Sequence, residues 1–261
     1  MITIYGTKQK EETYGLIATA WHGADVGGDI LIVQSNDMGG KSLQKTIEKH
    51  GFSVFCESKN KARYITIIRE LETPNIINKW LEYTQLTMVE ATGFYSKPGL
   101  FGWNKVDVGS KILVDKLPEL KGIGADFGCG YGYLTRHILD NNVNVTTHYA
   151  LDLDERAVEA CGKNITDDRA IIRHADCTQK TVDLPPLDFV IMNPPFHDGD
   201  GEDRGMGQKF IETAAKHLKR KGVCWIVANK HMPYEKTISE HFHAYEKIAE
   251  EKGFKIFKAL K

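Results

Sequence analysis

Long apolar runs are missing from this sequence: none approaches the roughly 20 consecutive apolar residues that a membrane-spanning helix needs. The first residues also lack the extended apolar core and small-residue cleavage site of a secretory signal, so a cytoplasmic protein is expected. Cysteine is sparse. Cys56, Cys129, Cys161, Cys177 and Cys224 are scattered with no C-x-x-C pair, which argues against a disulfide framework. The ten histidines form no H-E-x-x-H, and His241 and His243 stand as an isolated pair, so no metal site is expected. An excess of one charge is absent too. The net charge is −1; residues 1–93 carry 10 Lys and Arg against 11 Asp and Glu, and residues 94–261 carry 24 against 24. Nucleic-acid binders usually present a basic face, so any RNA partner has to be held by a local patch. With 261 residues and no low-complexity tract, the chain can bury one large core or two smaller ones.

What the chain does have is alternation. From Gly122 onward, apolar strand-like runs at 122–127, 145–151, 170–175, 187–192 and 223–228 alternate with helical stretches. The clearest helix is 208–218, where Phe210, Ile211, Ala214, Ala215 and Leu218 recur at helical spacing. Two further strands, 245–249 and 254–259, are joined through Gly253. Ahead of the first strand, Val108, Ile112, Leu113 and Leu117 mark an amphipathic helix opening near Asp107. The pattern predicts an α/β fold with a doubly wound, Rossmann-like sheet and a terminal antiparallel strand. Lys219-Arg220-Lys221 reads as a solvated helix end that complements the helix dipole.

The first 93 residues read as a small α/β domain that repeats the second half of that sheet. Residues 28–36 resemble 222–229, and a helical stretch follows each, at 41–50 and at 234–241. Strand-rich segments come next, 52–69 against 245–260, and even the preceding helices match, 11–21 against 208–218. This part has no room for the first half of such a sheet, where a cofactor loop would sit. The expected division is therefore 1–93, degenerate and without a cofactor site, and 94–261, catalytic.

The strongest motif is Asp126-Phe127-Gly128-Cys129-Gly130-Tyr131-Gly132, between the first strand of the large sheet and a helix. Its glycines allow a sharp turn and a close approach of backbone to ligand, and the helix that follows offers unpaired N–H groups. The spacing is G-x-G-x-G after an acid, not the G-x-G-x-x-G of dinucleotide enzymes. Asp126 suits the cationic, amino-acid end of S-adenosylmethionine and would repel a pyrophosphate. Asp152, with Leu153 beside it at the second strand's end, is placed to accept the ribose hydroxyls, while Asp154 reads as a helix N-cap. At the third strand's end, Asp176 can accept from the adenine amine and the Cys177 N–H can donate to the ring.

The fourth strand ends in Asn193-Pro194-Pro195-Phe196. An exocyclic or amide amine is a poor nucleophile because its lone pair is delocalised. Accepting hydrogen bonds from both its hydrogens favours a pyramidal nitrogen, and the Asn193 side-chain oxygen and the Pro194 carbonyl are suitable acceptors. The prolines hold that carbonyl rigid, and Phe196 offers a stacking face. Catalysis is then positioning and preorganised electrostatics, with no strong base required.

These motifs together resemble one family. Pro98-Gly99-Leu100-Phe101, Val106 to Ser110, the glycine loop, Asn193 to Gly199 and Ile226 to Glu235 are similar to the bacterial ribosomal RNA guanine-N2 methyltransferases of the RsmC/RlmG type, class I S-adenosylmethionine-dependent enzymes. The resemblance implies that Asn193 to Phe196 hold a target guanine amine, and that Phe101, Asp107 and Gly109 line the cofactor pocket. It also implies a methyltransferase-like N-terminal domain that has lost its cofactor site, shorter here than is usual. A ribosomal RNA or ribosomal subunit is the implied partner, and a monomer is favoured. Tyr95, Lys97, Trp103, Lys105, Lys230 and His231 are candidate RNA contacts. The N-P-P motif alone leaves open adenine N6 or a protein glutamine amide as the acceptor. A non-catalytic RNA-binding or assembly factor is the reading from another class.

Overall fold

Isoleucine at alternate positions organises the N-terminal sheet. In the computed structural model, which describes residues 1–195 and 202–261 and no side chains at 202–204, the chain divides into two compact units. One comprises residues 1–87 with 97–99, the other 88–96 with 100–261. The first holds β1 (Ile2–Tyr5), α1 (Lys10–Gly23), β2 (Asp29–Ser35), α2 (Gly40–Lys49), β3 (Val54–Lys59), β4 (Ala62–Ile68) and α3 (Asn75–Glu82). Its strand order is β1-β2-β4-β3, with β1 and β2 parallel and the other pairs antiparallel. The register lines up Ile2, Ile30, Ile67 and Val54 in one row and Ile4, Ile32, Ile65 and Cys56 in the next. Because strand side chains alternate faces, both rows point to one side. There Ile17 and Trp21 of α1, Ile47 of α2, and Ile77 and Trp80 of α3 complete the core. On the opposite face Tyr5 and Phe55 remain exposed.

The second unit opens with β5 (Thr87–Val89) and β6 (Phe94–Ser96), a two-stranded ribbon, followed by α4 (Val108–Lys116). Then come β7 (Gly122–Phe127), α5 (Tyr133–Asn141), β8 (Val145–Asp152), α6 (Glu155–Asn164), β9 (Ala170–His174), β10 (Leu187–Met192), α7 (Glu202–His217), β11 (Leu218–Asn229), α8 (Tyr234–His241), β12 (Ala244–Glu251) and β13 (Phe254–Leu260). The seven-stranded order is β12-β13-β11-β10-β7-β8-β9. All its pairs are parallel except those of β13, which lies antiparallel between β11 and β12. The sheet is therefore doubly wound, and the antiparallel strand is the last in sequence and one place in from the edge. Near-continuous apolar strands are what two covered faces require. One face packs Phe210, Ile211, Ala214 and Tyr234; the other packs Ile112, Leu113, Leu134 and Ile138.

The two sheets share a pattern. β1-β2-β4-β3 and β10-β11-β13-β12 have the same order and the same relative directions. α1 and α7 occupy equivalent connections, as do α2 and α8. The N-terminal sheet has no counterpart of β7, β8 or β9.

Several elements differ from the sequence reading. β1, α3 and the β5–β6 ribbon are too short or too polar to stand out. α7 starts at Glu202, earlier than expected, because Gly205 and Gly207 obscure its helical pattern. Lys219-Arg220-Lys221 is not a helix end but part of β11. The β10–β11 register breaks between Leu187 and Phe189, Lys221 adopts a positive φ of 69°, and Lys219 Nζ meets Asp188 Oδ1 at 2.8 Å. Among the described residues, no helix is long and apolar enough to cross a membrane.

The parallel pairing of β7 with β10 brings Phe127 level with Met192. Strand order reverses at this pair, and the crevice outside the carboxyl ends at such a reversal is where open α/β sheets bind ligands. The turn leading into β8 is held by Arg169. Its guanidinium donates to the carbonyls of Leu139 at 2.6 Å, Asn142 at 2.8 Å and Val145 at 3.3 Å while paired with Asp167 at 2.6 Å. Arg169→Ala leaves those carbonyls without their charged donor and should lower stability by about 1–3 kcal/mol. Arg169→Lys should recover only part of the loss, since Lys lacks the planar fork. Urea unfolding of both variants checks this, and an unchanged midpoint for Arg169→Ala would remove the role.

Candidate active site

The crevice is built from the loops that follow β7, β8 and β10 and from the start of α4. After Phe127 the chain turns through Gly128 and Gly130, with φ of 77° and 55°, conformations that a side chain strains. A Cβ at Gly130 would meet nothing within 4 Å, so this backbone faces open space. The turn is pinned from below: Gly128 N–H and Cys129 N–H donate to the Leu151 carbonyl at 2.8 and 2.9 Å. Gly130 N–H donates to Asp152 Oδ2 at 2.8 Å. Phe101, Asp107, Ser110, Tyr131 and Asn193 close the pocket around Gly128 to Gly130.

Asp126 lies beneath the loop, fully buried. One carboxylate oxygen accepts from Thr135 Oγ1 at 2.8 Å, and the other has no partner among the described residues. Burial pushes its pKa up to about 7, opposed by the Thr135 bond and assisted by the charge of Asp152. The structure seals this acid off and leaves one of its acceptors unused.

Asp152, half-buried, also accepts from Asp154 N–H at 2.9 Å, and burial raises its pKa. A carboxylate offers about four acceptor sites, so Asp152 keeps capacity beyond these backbone bonds, which a ribose hydroxyl needs. Asp154 caps α6 through Arg156 N–H at 2.9 Å, as its position suggested. Leu153 is exposed, and its carbonyl meets His174 Nε2 at 2.7 Å. Asp176 accepts from Thr178 N–H and Oγ1 at 2.8 and 2.7 Å and from Gln179 Nε2 at 3.2 Å. Burial raises its pKa, but these bonds outweigh it and the net shift is downward. Its carboxylate is thus largely committed to a local turn. The Cys177 thiol is buried, and burial pushes its pKa up. Gly109 is buried behind Asp107, packed against the Phe254 ring, and the exposed Phe101 ring stands at the pocket wall.

Asn193 is where the geometry is most specific. Its Nδ2 donates to Asp107 Oδ2 and to Ser110 Oγ, each at 2.9 Å. Asp107 also caps α4, accepting Ser110 N–H at 2.8 Å. A carboxylate only accepts, so the amide cannot be turned over without losing this bond. Both amide hydrogens are spent, and the buried Asn193 Oδ1 has no partner among the described residues. Pro194 is buried and Pro195 half-buried; Phe196 lies outside the described residues.

Two further residues matter that the sequence did not single out. Ser110 was visible only as the third residue after a capping acid. Asn164 takes Tyr95 N–H at 2.7 Å and donates to the Tyr95 and Tyr131 carbonyls, each at 2.8 Å, tying α6 to the loop and to β6. No sequence spacing announces a link over 69 residues. Of the candidate RNA contacts, Lys105, Lys230 and His231 are exposed, and the Tyr95 ring carries Lys163 Nζ 4.0 Å from its centroid. Among the described residues, no group of three His, Cys, Asp or Glu could hold a metal ion.

This crevice fits S-adenosylmethionine. The open turn at Gly130 accepts a ligand at the backbone, Asp152 retains acceptor capacity, and Asp126 offers an unsatisfied buried oxygen beneath a cation.

Residues 91–258 match the family described as the methyltransferase small domain. Ribosomal RNA small subunit methyltransferase C of Shewanella halifaxensis is 30% identical over 240 residues, covering 90% of this chain and 69% of the relative. The namesake protein of Haemophilus influenzae is 28% identical over 98% of this chain and 78% of its own length. In fold, the chain is similar to a T. thermophilus 16S ribosomal RNA methyltransferase that acts on N2 of guanosine 1207, solved with AdoMet and guanosine. That match has a TM-score of 0.81 at 20% identity and covers 99% of this chain and 72% of that one.

The raised pKa of Asp126 has a sign. A carboxyl with a folded pKa near 7 and an unfolded value near 3.8 lends stability fully present below the lower value and lost as pH rises through the upper one. The cofactor-free protein should therefore lose on the order of 2–4 kcal/mol from this group between pH 4 and pH 8. In Asp126→Asn that component should vanish. Urea midpoints across the range measure it, and parallel curves for the two proteins would refute the assignment.

Proposed function

Because the chain belongs to the methyltransferase small-domain family, among the ribosomal RNA small subunit methyltransferase C proteins, we propose that it is an S-adenosylmethionine-dependent methyltransferase acting on the exocyclic N2 amine of a guanine in ribosomal RNA. The observation that carries this reading is the fixed amide of Asn193, which lines the same pocket as the glycine turn and keeps one buried oxygen without a partner among the described residues. An exocyclic amine is the complement of that oxygen.

The bound cofactor supplies an electrophilic methyl group on a sulfonium. The chain's own residues do the rest. Asn193 Oδ1 accepts one amine hydrogen and the Pro194 carbonyl the other, which localises the nitrogen lone pair. That lone pair would be aimed at the donor's methyl carbon, and the amine proton would pass to solvent afterwards. Asp107 and Ser110 keep the Asn193 oxygen in place. Phe196 is assigned the stacking face. Gly128, Cys129 and Gly130 receive the amino-acid end of the cofactor, with Asp126 as buried counter-charge, while Asp152 and Leu153 receive the ribose. Asp176 and Cys177 bound the adenine, and Phe101, Asp107 and Gly109 close the wall. A base in a duplex must be flipped out or already single-stranded to enter. The N-terminal unit is read as a degenerate methyltransferase half, supported by its repeated strand order. The enzyme then works where ribosomal RNA is, in the cytoplasm.

Two measurements test this. Methyl transfer from radiolabelled cofactor to ribosomal RNA of a strain lacking the gene, followed by nucleoside analysis, should place label in N2-methylguanosine; label in another nucleoside refutes guanine as the acceptor. Asn193→Ala should keep cofactor affinity near wild type and reduce turnover by roughly 100-fold, the scale of losing one preorganised hydrogen bond in a transition state. Undiminished turnover rules out the role given to Asn193.

A further inference from the structure

One helix grips the glycine turn from both of its ends. At the start of α6, the N–H of its capping residue Asp154 donates to Asp152 Oδ1 at 2.9 Å, while Asp152 Oδ2 holds Gly130 N–H at 2.8 Å. The helix then runs ten residues, about 15 Å, to Asn164. There the Asn164 carboxamide donates to the Tyr131 carbonyl at 2.8 Å and to the Tyr95 carbonyl at 2.8 Å, and accepts Tyr95 N–H at 2.7 Å. Both amide hydrogens and the oxygen thus go to main-chain atoms.

The far half of the turn has few other ties. Gly128 and Cys129 N–H are engaged by the Leu151 carbonyl, Gly130 N–H by Asp152, and Gly132 N–H by the Cys129 carbonyl at 2.9 Å. The Tyr131 carbonyl has Asn164 as its one hydrogen-bond partner among the described residues. Tyr131 is flanked by Gly130 and Gly132, with φ of 55° and 94°. Glycine on both sides leaves the backbone here unrestrained by local sterics, so an external tie has to hold it. The packing agrees. A Cβ on Gly132 would lie 3.0 Å from Cys161 Sγ and 3.3 Å from Ile165 Cγ1, so the turn rests on the last part of α6. The Phe94 ring, beside Tyr95, lies 5.3 Å from the Tyr131 ring.

Tyr131 lines the pocket, and Asn164 stands behind it. We infer that Asn164 is a positioning residue for the cofactor: by holding the Tyr131 carbonyl it sets the shape of the turn from Gly130 to Gly132 that receives S-adenosylmethionine. Removing its donors frees that peptide and weakens cofactor binding while every group in the pocket wall is still present. The inference rests on the reading of this crevice as the cofactor site.

The test titrates the full chain with S-adenosylmethionine by calorimetry between about pH 8 and pH 5, as wild type, Asn164→Ala and Asn164→Asp, with urea midpoints for all three. Asn164→Ala should bind about tenfold more weakly, within the usual range for coupling between a site and a residue outside it. Asn164→Asp keeps the size and the acceptor for Tyr95 N–H, but a carboxylate has no hydrogen for the Tyr131 carbonyl. Facing two carbonyls raises the pKa of the introduced carboxyl. Its deficit relative to wild type should therefore be largest at the alkaline end and shrink several-fold as the carboxyl gains a proton that it can donate. The other ionisable groups around this position are Cys161, Lys163 over the Tyr95 ring, Arg136 over the Phe94 ring, and the Tyr131 phenol, which burial pushes up to about 12. Wild type measured alongside carries their titration, so the ratio reports the introduced carboxyl. If Asn164→Ala does not fold, Asn164→Asp carries the test alone. Wild-type affinity in the variants overturns the inference, even where the urea midpoint falls, since that is the mark of a purely structural residue. An Asn164→Asp deficit that stays constant with pH overturns it as well. Wild type that binds no cofactor overturns the reading of the crevice itself, and the inference with it.

Discussion

A carboxamide can present either an acceptor or a donor to its surroundings, and in the crevice beside the glycine turn that choice is made in advance. Asp107 makes it, because a carboxylate has nothing to donate to Asn193 Oδ1 and can only hold the nitrogen side. The choice is supported through the body of the unit. Asp107 stands where it does because it caps α4; α4 packs on β11 and β13; Gly109 in its first turn lies against the Phe254 ring at the start of β13. A strand far from the glycine loop in sequence thereby fixes which way the Asn193 amide is turned. A rigid frame for a fixed dipole is what electrostatic preorganisation requires.

The three acids at successive strand ends look alike in sequence and differ in the fold. Asp126 is sealed and shifted up, Asp152 is partly enclosed and holds the loop by one oxygen, and Asp176 closes a turn on itself with a downward shift. Position at a strand's end is set by topology; availability is set by which backbone N–H groups arrive first. Gly130 N–H claims an oxygen of Asp152, and Thr178 claims one of Asp176.

This contrast marks how far the residues alone could be read. The large doubly wound sheet and the motifs at its strand ends were legible, because glycine spacing, apolar runs and the Asn193-Pro194 motif are local signals. The N-cap role of Asp154 was legible for the same reason, as was a helix opening near Asp107. What escaped was set by pairs distant in sequence: Asn164 with Tyr95, Ser110 with Asn193, and the burial of Asp126 under its own loop. The break in β11 escaped because three consecutive cations read as a helix end until pairing with β10 and Asp188 draws them into a strand. Helix α3 was hidden because only two of its residues, Ile77 and Trp80, are fully buried.

The placement of β13 bears on the order in which the sheet can assemble. Of the seven strands it is the last to be synthesised, yet it sits inside the sheet, between β11 and β12, and not at its rim. β12, made earlier, has no strand neighbour until β13 arrives, so it waits as an unpaired segment. The N-terminal sheet has the same inversion on a smaller scale, with β4 arriving last and settling between β2 and β3. Each sheet thus locks by insertion of its final strand, and synthesis stopped short of that strand leaves a gap in the interior, with open edges on both sides of it. Such products expose pairing surface and are the kind that proteases and chaperones recognise. In this architecture neither sheet can close early: the strand made last is the one that joins its neighbours.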